Sequence, residues 1–100
     1  MDKLEIAKAK LLRGTIISRL YDFYGEDITV STLKSVMSYG GYNSDKEIKR
    51  AMYYLTGPSK RYVKLVYNKD NYMDSLVWLT PEGVNLAEGD LEDIGVERDE

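Results

Sequence analysis

Three stretches with helical spacing are followed by two in which apolar residues alternate, and this order constrains the fold more than any other property of the chain. Over residues 6–24, Ala9, Leu12, Ile16, Leu20 and Phe23 recur every three or four positions, while Lys8, Lys10, Arg13 and Asp22 fall mostly elsewhere. That spacing predicts an amphipathic helix. Gly14 lies inside it at a cost of about 1 kcal/mol relative to Ala, and Gly25 is placed to end it. Ile28, in the short Asp27-Ile28-Thr29 segment, could add a bridge to a sheet formed later in the chain.

Thr29 or Ser31 can cap a second helix, whose apolar positions Val30, Leu33, Val36 and Met37 share a face until Gly40-Gly41. Gly40-Gly41-Tyr42-Asn43 reads as a compact turn, with Tyr39 and Tyr42 packed around it. Ser44-Asp45-Lys46-Glu47 has the pattern of a capping box, in which hydroxyl and carboxylate satisfy reciprocal backbone donors at the start of a third helix. Ile48, Ala51, Met52 and Leu55 form its inward stripe, so Lys46, Lys49, Arg50 and Tyr53 project outward. Thr56-Gly57-Pro58-Ser59 closes it, because proline cannot prolong the hydrogen-bond ladder.

Residues 62–67 and 73–79 alternate as strands around the polar tip Asn68-Lys69-Asp70-Asn71-Tyr72. The pattern predicts a hairpin without fixing its register, and Trp78 reads as a core anchor. Thr80-Pro81 then supplies a cap and a proline at the first helical position for a short final helix ending at Gly89. The order of elements predicts an α+β fold of the winged helix-turn-helix type, with three helices, a C-terminal β-hairpin wing and a short final helix. Residues 1–89 form that domain. Residues 90–100, with six acids, one arginine and only Leu91, Ile94 and Val96 to bury, read as a mobile or loosely docked tail.

Charge divides the chain in the same place. Residues 1–80 carry 13 Lys and Arg against 9 Asp and Glu, whereas residues 81–100 carry 1 against 8, so the overall net charge of −3 hides a mildly basic body. Duplex DNA is the partner such a body fits, with Lys46, Lys49, Arg50 and Tyr53 at the groove and Lys60, Arg61, Lys64 and Lys69 on or near the wing. The same tyrosine-rich surface could instead meet a protein, and the acidic end could cover the basic face. The absence of Cys and His removes thiol nucleophiles, imidazole bases and the usual zinc ligands, and no nucleophile context or phosphate-binding glycine loop is present. A non-enzymatic role without cofactor or metal follows. No apolar run reaches the roughly 20 residues needed to span a bilayer, so a cytoplasmic protein with no membrane partner is expected.

The chain also resembles a family of small proteins of Mu-like tailed bacteriophages and prophages. The resemblance is carried by Leu11-Leu12-Arg13, by residues 44–50, by Tyr54-Leu55, and by residues 79–89 followed by Ile94-Gly95-Val96. The Leu-Thr-x-x-Gly of Leu79, Thr80 and Gly83, the second glycine at Gly89 and the Gly95-Val96 pair are its most specific part. It implies a winged helix of undefined biochemical role in a phage or prophage and carries over no catalytic or ligand residue. Pro58-Ser59-Lys60-Arg61 departs from the family's turn, which predicts a late start for the first wing strand.

Overall fold

The computed structural model describes residues 1–37 and 44–98. Its elements follow in the order α1 (Lys3–Asp22), β1 (Ile28–Thr29), α2 (Val30–Met37), α3 (Asp45–Thr56), β2 (Val63–Val66), β3 (Leu76–Leu79) and α4 (Pro81–Glu88). The readings at Tyr39 and at residues 40–43 lie outside the described residues. Helix α1 lies against α2, α3, α4 and β3, and its buried Leu12, Ile16, Ile17 and Leu20 form the spine of the core. Leu33, Ile48, Met52, Leu55, Val77, Leu79 and Leu86 close around them.

The caps follow the sequence chemistry. Asp2 accepts from the Glu5 N–H at the start of α1, and Thr29 Oγ1 accepts from the Thr32 N–H at the start of α2. Both halves of the capping box at Ser44 and Glu47 are formed. Each satisfies backbone donors that the first turn of a helix leaves without an internal partner.

The three strands form one antiparallel sheet in the order β1-β3-β2. Ile28 pairs with Val77 and Thr29 with Leu76, so the short segment after α1 does join the hairpin. Across the hairpin, Val63 faces Leu79, Lys64 faces Trp78, Leu65 faces Val77 and Val66 faces Leu76. This register turns Val63, Leu65, Val77 and Leu79 toward the core. Trp78 is consequently not the core anchor its size suggests: it stands half-buried on the outer face beside Lys64.

The second strand starts at Leu76 rather than at residue 73, because polar side chains claim the backbone before it. Asn68 accepts from the N–H groups of Asp70 and Asn71, Asn71 caps a 3-10 turn at Tyr72–Asp74, and buried Ser75 accepts from the Asn68 N–H. Such local bonds compete with a ladder. On the other strand, Arg61 holds a positive φ of 57° in the turn after α3, and β2 begins late, at Val63. Thr80 ties that turn to α4, since its hydroxyl donates to the Arg61 carbonyl at 2.6 Å and accepts from the Gly83 N–H. A Cβ at Gly83 would stand 2.2 Å from the Tyr62 carbonyl oxygen, which accounts physically for glycine three residues after Thr80.

Residues 90–98 correct the expectation of a mobile or loosely docked end. Arg13 donates to the Gly95 carbonyl at 2.9 Å, the Glu97 N–H donates to the Lys10 carbonyl at 3.1 Å, and Val96 is buried. Of the three apolar residues available, Val96 alone is buried, while Ile94 is 93% exposed. Gly14 is the crossing point. A Cβ there would lie 1.6 Å from the Glu97 carbonyl oxygen, so the residue that weakens α1 locally is the one that admits the C-terminal segment.

Gly14→Ala should therefore lower stability by on the order of 1–2 kcal/mol, because the steric conflict exceeds the gain in helix propensity. In a chain ending at residue 89 the same substitution should raise stability. Thermal melts of the four proteins check this, and a stabilising Gly14→Ala in the full chain would contradict the crossing.

Candidate nucleic-acid interface

The capping box orients the outer face of α3. Glu47 is held by the backbone N–H and hydroxyl of Ser44, which keep its carboxyl below the usual range, and Lys34 pairs with Asp45. Two of the acidic groups nearest the basic face are thus engaged. Lys46, Lys49, Arg50 and Tyr53 all point outward, and Tyr53 is 84% exposed. Positions 46, 49, 50 and 53 recur at helical spacing, so the four share one side of α3.

This side continues onto the neighbouring elements. The Lys49 ammonium lies 4.8 Å from the ring centroid of Tyr72 in the hairpin loop, and Tyr72 contacts Tyr67 at 6.2 Å between ring centroids. Burial, and secondarily Tyr67, pushes the Tyr72 phenol up. On the opposite flank the Arg50 guanidinium donates to the Met1 sulfur at 3.6 Å. The result is a surface running from the start of α1, across α3, to the hairpin, with exposed Lys69 in the loop beyond.

The other candidates are dispersed. Lys64 stands across β2 and β3 from Trp78 and lines a shallow open cleft of about 540 Å³ with Tyr24, Glu26, Asp27 and Pro81. Arg61 is exposed, but its Nε donates to the Pro58 carbonyl at 2.8 Å in the turn after α3. Lys60 lies beyond the C-terminal end of α3 and is committed to another contact.

That contact is a buried cluster which sequence reasoning missed. Asp93, with 3% of its side chain exposed, accepts from Tyr54 at 3.0 Å, from Tyr62 at 2.6 Å and from the Gly95 N–H at 2.7 Å, and pairs with Lys60 at 2.9 Å. Burial pushes the Asp93 carboxyl up, but the hydrogen bonds from Tyr62, Lys60, Gly95 and Tyr54 outweigh it and hold the group well below the usual carboxylate range. Burial and the bond to Asp93 raise Tyr62 to about 12, and the bonds to Asp93 and Tyr54 raise Lys60. Arg13 stacks over the Tyr54 ring at 4.0 Å. The only sequence signal for this cluster is an Asp two residues before a Gly in an otherwise solvated acidic stretch.

Among the described residues, no three acidic side chains gather where they could hold a metal ion, and no helix is long and apolar enough to cross a membrane.

The Asp93 cluster gives a pH prediction with a definite sign. A carboxyl whose folded pKa is depressed contributes stability that is present above its unfolded value near 4 and lost as pH falls through that value toward the folded pKa. Urea unfolding at neutral and acidic pH should show this loss. Asp93→Asn should cost about 1–3 kcal/mol at neutral pH and flatten the acid limb. An equally steep limb in the variant would assign the acid sensitivity elsewhere.

Comparison with protein-family models, curated proteins and solved structures finds no match to this chain.

Proposed function

We propose that the chain is a non-enzymatic winged-helix protein that binds duplex DNA, with α3 in the major groove and the hairpin against the adjacent backbone. The order helix, strand, helix, helix, hairpin and the β1-β3-β2 sheet support the winged-helix reading. The observation that carries the partner is the continuity between α3 and the hairpin through Lys49 and Tyr72. It puts Lys49 of α3 beside the loop that also bears Lys69, and a helix continuous with a basic loop is the footprint that a groove and its flanking phosphates call for. The sequence resemblance adds the expectation of a phage or prophage setting.

The second reading, a protein-interaction module in phage assembly, uses the same face. Tyr53 at 84% exposure and Tyr67 at 59% favour it, since exposed tyrosines serve protein contacts as well as phosphates. Salt separates the two, because neutralising phosphates releases counterions and makes affinity fall steeply with ionic strength.

Lys49→Ala with Arg50→Ala should leave the melting temperature nearly unchanged, as both side chains are exposed, and should weaken binding to random duplex DNA at low salt by roughly tenfold or more. The salt dependence should become shallower by about two counterions. Fluorescence anisotropy across a salt series checks this. Unchanged affinity of the double variant, or no binding by the unmodified chain at low salt, would move the reading to a protein partner.

A further inference from the structure

Helix α1 has more apolar surface than the fold uses. Its core stripe is Leu12, Ile16 and Leu20, yet Leu4 is 64% exposed and Leu11 48% exposed, and residues 1–8 are exposed throughout. Leu4, Ala7 and Leu11 recur at heptad-like spacing and lie about 150° around the helix from the core stripe. Thr15 and Ser18 continue the same line with small side chains. The first half of α1 is thus apolar on a second face, which overhangs the body, and two half-buried hydroxyl residues continue it.

The charges on one flank of that stripe suit one occupant. Lys3 and Lys10 lie on its flank toward the C-terminal segment, and Glu97 lies on the same flank where that segment crosses Gly14, one turn from Leu11. Basic charge therefore precedes the Glu97 carboxylate along one edge of the helix, while the guanidinium of Arg98 beyond it is turned to the Ala87 carbonyl on α4. In an antiparallel helix pair, each flank meets the same flank of the other helix in reversed direction. A two-fold axis near Leu11 sets Leu11 against its counterpart, Leu4 over the small Ser18, and Lys3 and Lys10 of one copy over Glu97 of the other. A surface with both signs in sequence along one edge is self-complementary under this operation.

We propose that the outer face of α1 pairs with the same face of a second copy of this chain, antiparallel, with Leu4 and Leu11 at the centre and Lys3, Lys10 and Glu97 as the charged flank. The pairing rests on other residues than the nucleic-acid reading, although both surfaces begin at the start of α1. The stretch from Leu4 to Ser18 is about 21 Å of helix, and one such pair belongs to the small interfaces below roughly 1,200 Å², so the dimer is concentration-dependent.

Sedimentation equilibrium of the full chain over a wide concentration range should show mass rising from one chain toward two, more readily at low salt. Leu4→Glu with Leu11→Glu should hold the protein at one chain with an unchanged melting profile. Lys3→Glu with Lys10→Glu should weaken pairing, and adding Glu97→Lys should restore it by exchanging the signs. A wild-type chain that stays monomeric at the highest concentration overturns the proposal. So does a dimer that survives either double substitution, because its interface would then lie elsewhere.

Discussion

The buried carboxylate of Asp93 is the point on which the arrangement of the chain's two ends depends. Its oxygens take bonds from Tyr54 on α3, from Tyr62 before β2 and from Lys60 in the turn between them. One residue of the C-terminal segment thus fixes the exit of α3 relative to the entry of the sheet. Removing such a charge from water is costly, and the site tolerates it because two phenols, an ammonium and a backbone N–H converge on it. Arg13, over the Tyr54 ring and bonded to the Gly95 carbonyl, links the same cluster to α1.

Local chemistry made the body legible in the sequence. The box at Ser44, the Gly57-Pro58 stop and the Thr80-Pro81 start are decided within a few residues and stand where those signals put them, whereas α1 begins earlier than its apolar spacing, at Lys3 behind the Asp2 cap, and ends at Asp22, ahead of Gly25. What remained hidden depends on contacts far apart in the chain. Gly14 reads alone as a weak position, and becomes necessary only when Glu97 crosses it 83 residues later. Trp78 reads as core by size until the pairing of Lys64 with it turns it outward. The outward placement of Lys46, Lys49, Arg50 and Tyr53 was readable from helical period. The separation of Lys60 and Lys64 from that face was not, since one depends on Asp93 and the other on strand register.

The division of charge along the chain acquires a physical meaning from this packing. An acidic end free in solution would lower the potential of the whole body within a Debye length of roughly 8 Å. Held as it is from Asp90 to Arg98, its most buried acid meets Lys60 and its backbone meets Arg13, both on the side of Tyr54 rather than on the side of Tyr53. The segment therefore does not lie over the outer face of α3 as an autoinhibitory cover would. It neutralises a cation at the C-terminal end of the helix and leaves Lys46, Lys49 and Arg50 at the other.

That distribution also bears on how α3 could meet a polyanion. The N-terminus of a helix carries partial positive charge from its unpaired amides, which Asp45 and Glu47 partly offset. Because Glu47 is bound to Ser44 and Asp45 to Lys34, those carboxylates serve the helix start and its neighbour α2, while the cations one turn later face outward. Lys49 then divides its contacts between solvent and the Tyr72 ring, an arrangement that spreads its charge toward the hairpin at little entropic cost to the side chain. A ligand that covers both elements gains the charge of α3 and the aromatic surface of the loop together. One that touches only the helix gains the charge alone, so the hairpin's contribution would appear as a difference between long and short duplexes.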